Sequence, residues 1–474
     1  MEKLTMMLKT VDGWIWGTWM MALLVGVHIF YSFITNWVQV RHFGHCMAQT
    51  VLAPFKRGKK RGDGKSLSAF QTLCVSLGSC VGSGNVVGVA TAIIAGGLGA
   101  VFWMCFAAFF GMATKFGEII LAILFREKRE DGEWVGGIMY CLKNGCKRPK
   151  LGAVAAVGTI LFYFGSRMLQ ANTVSGVMST SFGVPGWITG LVLSAVMLAV
   201  AAGGHKRLGE AASLLVPVMT LLFLGIGGAV LVARWEQIPA VLARIFSEAF
   251  SLRAAAGGAG GYMIARAMQY GVARGLYSNA AGVGCAGFYA AASDVEHPVE
   301  QGIFGVTEVF IDTIVVCTMT GLVIGVTGVV DLPGASASTM AIDAFASVWS
   351  PLGFLGAVSL LLFCFTTLMG HWMCLSAGID YLFPKGKVSK VVKYLFPLLC
   401  FPGAVLASEL VWTVQDIAQA CMALPNLFAL VLLAPLVRGK TIEYFEVVLP
   451  ARKAGEETLP EPAPLLEEEL AVEG

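Results

Sequence analysis

Charge is what this 474-residue sequence has least of: 13% of its residues are Asp, Glu, Lys or Arg, against 57% apolar. A water-soluble domain carries about 25% charged residues. A surface with half that charge cannot be hydrated throughout and must face lipid, which excludes a soluble globular protein. The formal net charge of +3 is too small to mark a nucleic-acid binder. Ligand spacing among the cysteines is also missing. Twelve are present, mostly inside apolar stretches (Cys74, Cys105, Cys317, Cys400), without a CxxC pair or a Cys/His set. Cys141 and Cys146 stand too far apart and lack partners, so the thiols read as small buried apolar residues. No HExxH, GxSxG or Walker loop occurs, which argues against an intramembrane enzyme and against ATP-driven transport. Gly82-Ser83-Gly84 is no dinucleotide fingerprint, because the next glycine, Gly88, comes one residue late and no βαβ unit surrounds it. A channel would show repeated polar or charged rings, and none is visible.

What the sequence has is long apolar runs. A spanning helix needs about 20 apolar residues, and about eleven stretches qualify: 14–37, 67–95, 98–125, 151–181, 184–202, 208–233, 256–291, 299–329, 351–383, 391–408 and 411–437. The first is followed by basic residues, not by a small-residue cleavage site, and reads as a helix instead of a signal peptide. Lys and Arg concentrate in alternate loops: Arg41 to Lys65, Arg126 to Lys150, Lys206 and Arg207, Lys385 to Lys393, and Arg438 with Lys440. The positive-inside rule then predicts an outside N-terminus and a cytoplasmic C-terminus in a multi-pass protein of the cell membrane. Residues 40–60 and 236–251 read as amphipathic segments lying on the two membrane surfaces. The Glu- and Pro-rich tail beyond about 454 is expected to be disordered.

Two spans carry more glycine than a continuous helix tolerates. Gly78, Gly82, Gly84 and Gly88 fall in 67–95; Gly271, Gly275, Gly282, Gly284 and Gly287 fall in 256–291. Close helix packing through Gly84xxxGly88 and Gly271xxxGly275 is one explanation. The polar company favours another: Ser76, Ser79, Ser83 and Asn85 surround the first group, and Tyr277, Ser278 and Asn279 lie in the second. Irregular backbone at membrane depth is tolerated where it lines protein or a watery cavity, and paired broken helices mark secondary transporters. On that pattern helices 2–6 form one repeat, helices 7–11 an inverted copy, and helix 1 an addition. The domains are then 1–66, 67–233, 234–437 and a tail 438–474. A half-helix starting near Ser83 would aim N–H groups at a substrate carboxylate. Carbonyls at Gly78 and Val81, with Thr366, Thr367 and the carbonyl of Phe363, would supply an oxygen cage for a cation of Na⁺ type.

Several ordered blocks resemble the alanine-or-glycine:cation symporter family over about 14–437. They include Val81-Gly82-Ser83-Gly84-Asn85-Val86-Val87-Gly88, Gly96-Gly97-Leu98-Gly99-Ala100, Gly111-Met112-Ala113-Thr114-Lys115-Phe116-Gly117-Glu118, Gln170-Ala171-Asn172, Arg274-Gly275-Leu276-Tyr277-Ser278-Asn279 and His297-Pro298-Val299-Glu300-Gln301-Gly302, leading to Asp312-Thr313. The resemblance implies an all-α integral membrane protein of the LeuT-type 5+5 inverted-repeat fold with eleven helices. It also implies Na⁺-driven uptake of a small amino acid, without enzymatic activity or a required protein partner. The substrate-facing set is expected at Ser79, Cys80, Gly82, Ser83, Gly84, Asn85, Gln170, Gly275, Leu276, Tyr277, Ser278 and His371. Two positions depart from the family pattern: Ala280 stands where a Glu is usual, and His371 where a Trp is usual, with Trp372 one position on. Both leave the solute's side chain open to a larger or more polar group.

The remaining charged residues carry structural expectations. Lys115 and Glu118 are spaced for an i,i+3 ion pair. Glu308 and Asp312 share a helix face, and Arg274 is a partner for either. Arg167 is placed to snorkel or bind a carboxylate, His371 is a core histidine or a proton-coupling group, and Trp14, Trp16 and Trp19 suit an interfacial belt.

Overall fold

The computed structural model describes residues 2–52, 67–129, 132–202, 204–250, 259–384, 386–406 and 408–454. The tail beyond 454 and part of the 40–60 segment lie outside these residues. The described chain is nearly all helical: α1 (Glu2–Ile15), α2 (Thr18–Ile34), α3 (Ala69–Cys80), α4 (Val89–Gly96), α5 (Gly99–Leu124), α6 (Pro149–Phe182), α7 (Gly186–Ala202), α8 (Gly204–Ala233), α9 (Ile238–Ala249), α10 (Ala259–Asn279), α11 (Ala286–Ala290), α12 (Pro298–Val309), α13 (Thr318–Thr327), α14 (Ser350–Leu382), α15 (Lys387–Leu395) and α16 (Ser408–Leu432), with further short helices, Met340–Val348 and Ala434–Ile442 among them, and helical turns besides.

Among the described residues eight helices are long and apolar enough to cross a membrane, or nine if Ala69–Cys80 and Gly84–Gly96, bent by 47°, form one span. Expected span 184–202 falls on the shorter apolar helix Gly186–Ala201, and 256–291 on α10 and α11; neither is in that count. The second carries Arg266, Gln269 and Arg274 and is interrupted after Asn279, so it is too polar and too short for a continuous lipid-facing rod. Residues 238–249 do form an amphipathic helix, α9, whose Leu242 and Phe246 are exposed while Val241 and Ile245 pack inward.

Local chemistry sets the ends. Ser68 Oγ accepts the Gln71 N–H at 3.2 Å while Gln71 Oε1 accepts the Ser68 N–H at 3.1 Å, a reciprocal cap that starts α3. Pro149 opens α6, and Gly183 at φ 67° closes it. The stretches entering α3 and leaving α11 are stitched together, because Leu67 N–H donates to Ala292 O and Asp294 N–H to Leu67 O. The basic connecting segments meet at this same end of the bundle. Arg126 donates to Ala291 O and Ser293 O, Arg129 pairs with Asp380, Arg452 pairs with Glu296, and His42 stacks on Phe445.

The core is built around α5, which α10, α12 and α2 all pack against. Small residues permit these approaches. A Cβ on Gly302 would sit 3.0 Å from Phe116, and one on Gly275 would sit 3.0 Å from Met104. Trp14 is exposed, as an interfacial residue should be, but Trp16 is buried and its indole N–H donates to Asp416 O at 3.0 Å, so it belongs to the core and not to a belt.

Candidate functional site at two helix breaks

The first break follows Cys80. Val81 N–H still donates to Leu77 O, but Val81 itself turns extended (φ −71°, ψ 97°), and helix resumes as a wide π-type turn at Gly84–Gly88. Gly82 N–H, which an unbroken helix would give to Gly78 O, goes instead to Asn85 Oδ1 at 2.9 Å. Ser83 N–H donates to Gln170 Oε1 at 3.2 Å. The N–H groups expected to be free near Ser83 are thus held by side chains, and what the break releases is the Gly78 carbonyl. Glycine is needed on both sides of the gap: a Cβ at 82 would lie 2.5 Å from Thr367 Oγ1, and one at 84 would lie 3.0 Å from the Tyr277 ring and 3.2 Å from Ser278 Cα.

Thr367 Oγ1 faces three carbonyl oxygens: Gly78 at 3.1 Å, Val81 at 3.2 Å and Phe363 at 2.9 Å. A hydroxyl has one proton to donate, so two of these carbonyls face it without a proton between them. Thr366 Oγ1 donates to the same Phe363 O at 3.0 Å and lies 3.4 Å from Met219 Sδ. The result is a compact set of hard oxygens at the foot of the break, the ligand chemistry that hard cations take.

The second break falls just after the polar run Tyr277-Ser278-Asn279. α10 runs unbroken through Gly275 to Asn279, and Gly271 and Gly275 serve close packing against α5. The chain turns at Ala280 (φ 55°), Gly282 (φ 77°) and Gly284 (φ 99°) before α11 begins. Ala280 in the left-handed region costs about 1–2 kcal/mol. Glu118 meets this turn: its carboxylate accepts the N–H groups of Gly282 and Ala286, each at 3.1 Å, and Asn426 Nδ2 at 3.2 Å. It anchors the start of the second half-helix, where a negative charge is favoured.

Glu118 is therefore not the partner of Lys115. Lys115 Nζ pairs with Glu308 Oε1 at 2.5 Å and donates to Asn279 O at 2.6 Å, while Ser76 Oγ donates to the same Glu308 oxygen. Asp312 sits one turn further, on a π-type stretch Phe310–Cys317 that such sites often use. It accepts Asn85 Nδ2 at 2.8 Å, Ser278 Oγ at 2.7 Å and Thr313 Oγ1 at 2.8 Å, tying one broken helix to the other. Arg274 joins neither acid; it forms a two-pronged pair with Asp416 at 2.9 and 2.7 Å and lies over the Trp412 ring. Arg167 donates to Leu368 O at 2.7 Å and stacks on Phe396, with no carboxylate in contact among the described residues. These pairings were illegible because each partner comes from a helix remote in sequence.

Between the breaks lies a cavity of about 30 Å³ walled by Ser79, Cys80, Gln170, Tyr277, Ser278, Thr367 and His371, room for little more than a water molecule. The structure adds Phe162, Tyr163, Ser166, Cys285 and Tyr289 to the wall, which no spacing rule singles out, and places Ala280, where the family pattern has Glu, beside them. Gly82, Ser83, Gly84 and Asn85 shape the break beside it, whereas Gly275 and Leu276 are buried against other helices and do not line it. Two larger vestibules flank it, as positions along α6 and α14 show. Asn172 and Thr173 border a vestibule of about 880 Å³ whose floor is Arg274, Trp412 and Asp416. Beyond His371, the residues Trp372, Ser376 and Asp380 border one of about 830 Å³ at the basic end. The Tyr277 and Trp412 rings, 5.1 Å apart, stand between the first vestibule and the cavity. The Ser79–Tyr289 hydroxyl contact narrows the other side.

Comparison with known proteins gives a consistent result. The family described as the sodium:alanine symporter family matches residues 1–458. The sodium/alanine symporter AgcS of Methanococcus maripaludis is 35% identical over 454 residues, covering 93% of this chain and 97% of that protein. The probable sodium/glutamine symporter GlnT of Bacillus subtilis is 33% identical, with 89% and 87% covered. Among solved structures, MhsT in complex with L-phenylalanine superposes with a TM-score of 0.55 at 12% identity, covering 80% of this chain and 99% of that one. That likeness places the chain among LeuT-type transporter folds.

Proposed function

We infer from one premise, that the chain belongs to the sodium:alanine symporter family, a Na⁺-coupled symporter of a small neutral amino acid of the alanine or glycine type. One observation carries the reading: the Gly78, Val81 and Phe363 carbonyls converge on Thr367 Oγ1, a residue that also lines the central cavity. Na⁺ takes these oxygens, with Thr366 as a further ligand once its hydroxyl turns from Met219. The amino acid takes the neighbouring cavity, which widens beyond its closed volume of about 30 Å³ to admit it. Its carboxylate replaces Gln170 Oε1 on the Ser83 N–H, at the start of the half-helix. Its other contacts come from Ser79, Cys80, Tyr277 and Ser278, while Gly82, Gly84 and Asn85 hold the break open. Gly275 and Leu276 act from behind, by seating α10 on α5.

Because Thr367 serves both sites, Na⁺ and amino acid each raise the affinity for the other by the same factor. The two vestibules supply the two access routes. Parting of Arg274–Asp416 and Tyr277–Trp412 opens one; parting of Ser79–Tyr289 and Arg129–Asp380 opens the other. The chain is read as eleven spans of the 5+5 inverted-repeat arrangement: 67–233 as the first repeat, 234–437 as the second, and 1–66 as an added helix with a basic segment. The Lys/Arg-rich end lies in the cytoplasm by the positive-inside rule, with the N-terminus outside and the protein multi-pass in the cell membrane. Equilibrium binding of labelled alanine to purified protein, with NaCl and then with choline chloride, tests the coupling. Affinity that rises with Na⁺ is expected; affinity indifferent to Na⁺ removes the cation from the reading.

A further inference from the structure

The cavity wall is uneven in what it leaves unmade. Near the break, Gln170, Ser83 N–H and Thr367 are engaged with one another or with carbonyls. One turn toward the basic end, about 6 Å along the axes, the wall passes to Ser166 on α6 and His371 on α14. His371 is 2% exposed. Its Nε2 lies 3.3 Å from Ser166 Oγ, its ring meets Tyr163 edge-on, and its Nδ1 has no hydrogen-bond partner among the described residues. Buried polar atoms are normally paired, and an unpaired one is expensive. His371 lines the cavity and its Nδ1 is an unpartnered buried atom, so a solute that reaches the ring as the cavity widens completes it.

The chemistry of the partner follows from the wall. Among the described residues none of the cavity-lining side chains is Asp, Glu, Lys or Arg, and the nearby Arg167 is committed to Leu368 O and Phe396, so the solute's side chain is uncharged. Neutral imidazole donates from one nitrogen and accepts at the other, and the Ser166 hydroxyl serves either arrangement. Nδ1 thus calls for a group that donates or accepts as needed. A hydroxyl does both and is the smallest such side-chain group, and the wall around His371 is closed in by Phe162, Tyr163 and Tyr289.

Resting on the symport reading, we propose that the favoured solute is a small hydroxyl amino acid, serine or threonine, and that His371, oriented by Ser166, is the specificity-determining residue that hydrogen-bonds its side chain. The test is equilibrium binding of L-serine, L-threonine and L-alanine to the purified full chain in NaCl, for the native protein, His371→Leu, His371→Gln and Ser166→Ala. One such bond is worth about five- to tenfold in affinity. The native protein is expected to favour serine over alanine by about that factor. His371→Leu should collapse the ratio, Ser166→Ala should lower it, and His371→Gln should restore it in part. Equal affinity for serine and alanine, or an unchanged ratio in His371→Leu, overturns the proposal. Accumulation of serine by proteoliposomes is read separately. A serine preference in binding without Na⁺-driven accumulation supports the role of His371 and overturns the symport reading instead.

Discussion

Thr367 Oγ1 and the carbonyl oxygen of Gly78, 289 residues apart in sequence, lie 3.1 Å apart in the fold. The contact exists because Gly82 N–H turns away to Asn85, leaving the Gly78 carbonyl without its helical donor. A helix that runs unbroken from Ser350 to Leu382 thereby reads the state of a helix that is broken. Thr367→Val keeps the branched shape and removes the oxygen. The half-saturating Na⁺ concentration for uptake should rise about tenfold, the value of a lost ligand worth about 1.4 kcal/mol, whereas Thr367→Ser should stay within about twofold of native. Na⁺-activation curves in proteoliposomes decide it, and a native curve in the Val variant would remove Thr367 from the cation set.

The Lys115–Glu308 pair is expected to act on stability before it acts on transport. Both side chains are almost wholly buried, and removing one partner leaves a charge without compensation at a cost of about 3–5 kcal/mol. Glu308→Leu should therefore lower thermal stability in detergent strongly. The double variant Lys115→Met with Glu308→Leu should recover most of the loss. A double variant no better than the single would mean that the hydrogen bonds to Ser76 and Asn279, not the ion pair, hold this region.

Gly84 separates packing from function at the first break. A Cβ there would meet the Tyr277 ring at 3.0 Å and the Ser278 backbone at 3.2 Å, so the two broken helices must part by a few tenths of an ångström. Overpacking of this kind costs about 1–3 kcal/mol. Gly84→Ala should fold and insert, yet lose most amino-acid affinity, measured by binding alongside thermal stability. Gly225→Ala, where a Cβ meets nothing within 4 Å among the described residues, is the matched control and should bind as the native protein does.

Much of this site could be read from residue order, because its signals are local. Gly82-Ser83-Gly84-Asn85 put helix breakers and polar groups together at membrane depth, and Thr366-Thr367 offered adjacent hydroxyls on one long apolar span. The second break falls just after the polar run Tyr277-Ser278-Asn279 that marks it in the sequence, while Gly271 and Gly275 pack against Ala100 and Met104. The turn itself falls where Ala280, a residue with no left-handed preference, begins it. The ion pairs were hidden for a different reason. Lys115 and Glu118 have ideal spacing for each other, yet Glu308 and the N–H groups of Gly282 and Ala286 compete for them in three dimensions and win. Arg274 likewise has two candidate acids on the following span, Glu308 and Asp312, and pairs instead with Asp416 from α16. The aromatic and hydroxyl lining at Phe162, Tyr163 and Ser166 carries no motif; only the 3.6-residue spacing back from Gln170 could have suggested that Ser166 shares its face.

Coupling itself is tested most directly by solute accumulation in proteoliposomes holding the purified chain, with an inward Na⁺ gradient and then with Na⁺ replaced by choline or by a proton gradient alone. Labelled alanine, glycine and serine should each be offered. Accumulation above the outside concentration with the Na⁺ gradient, lost with choline and when the gradient is collapsed, is the result predicted. Equal uptake in all conditions, or accumulation driven by protons with no Na⁺ present, would contradict a Na⁺ symporter built on the Gly78, Val81, Phe363 and Thr367 oxygens.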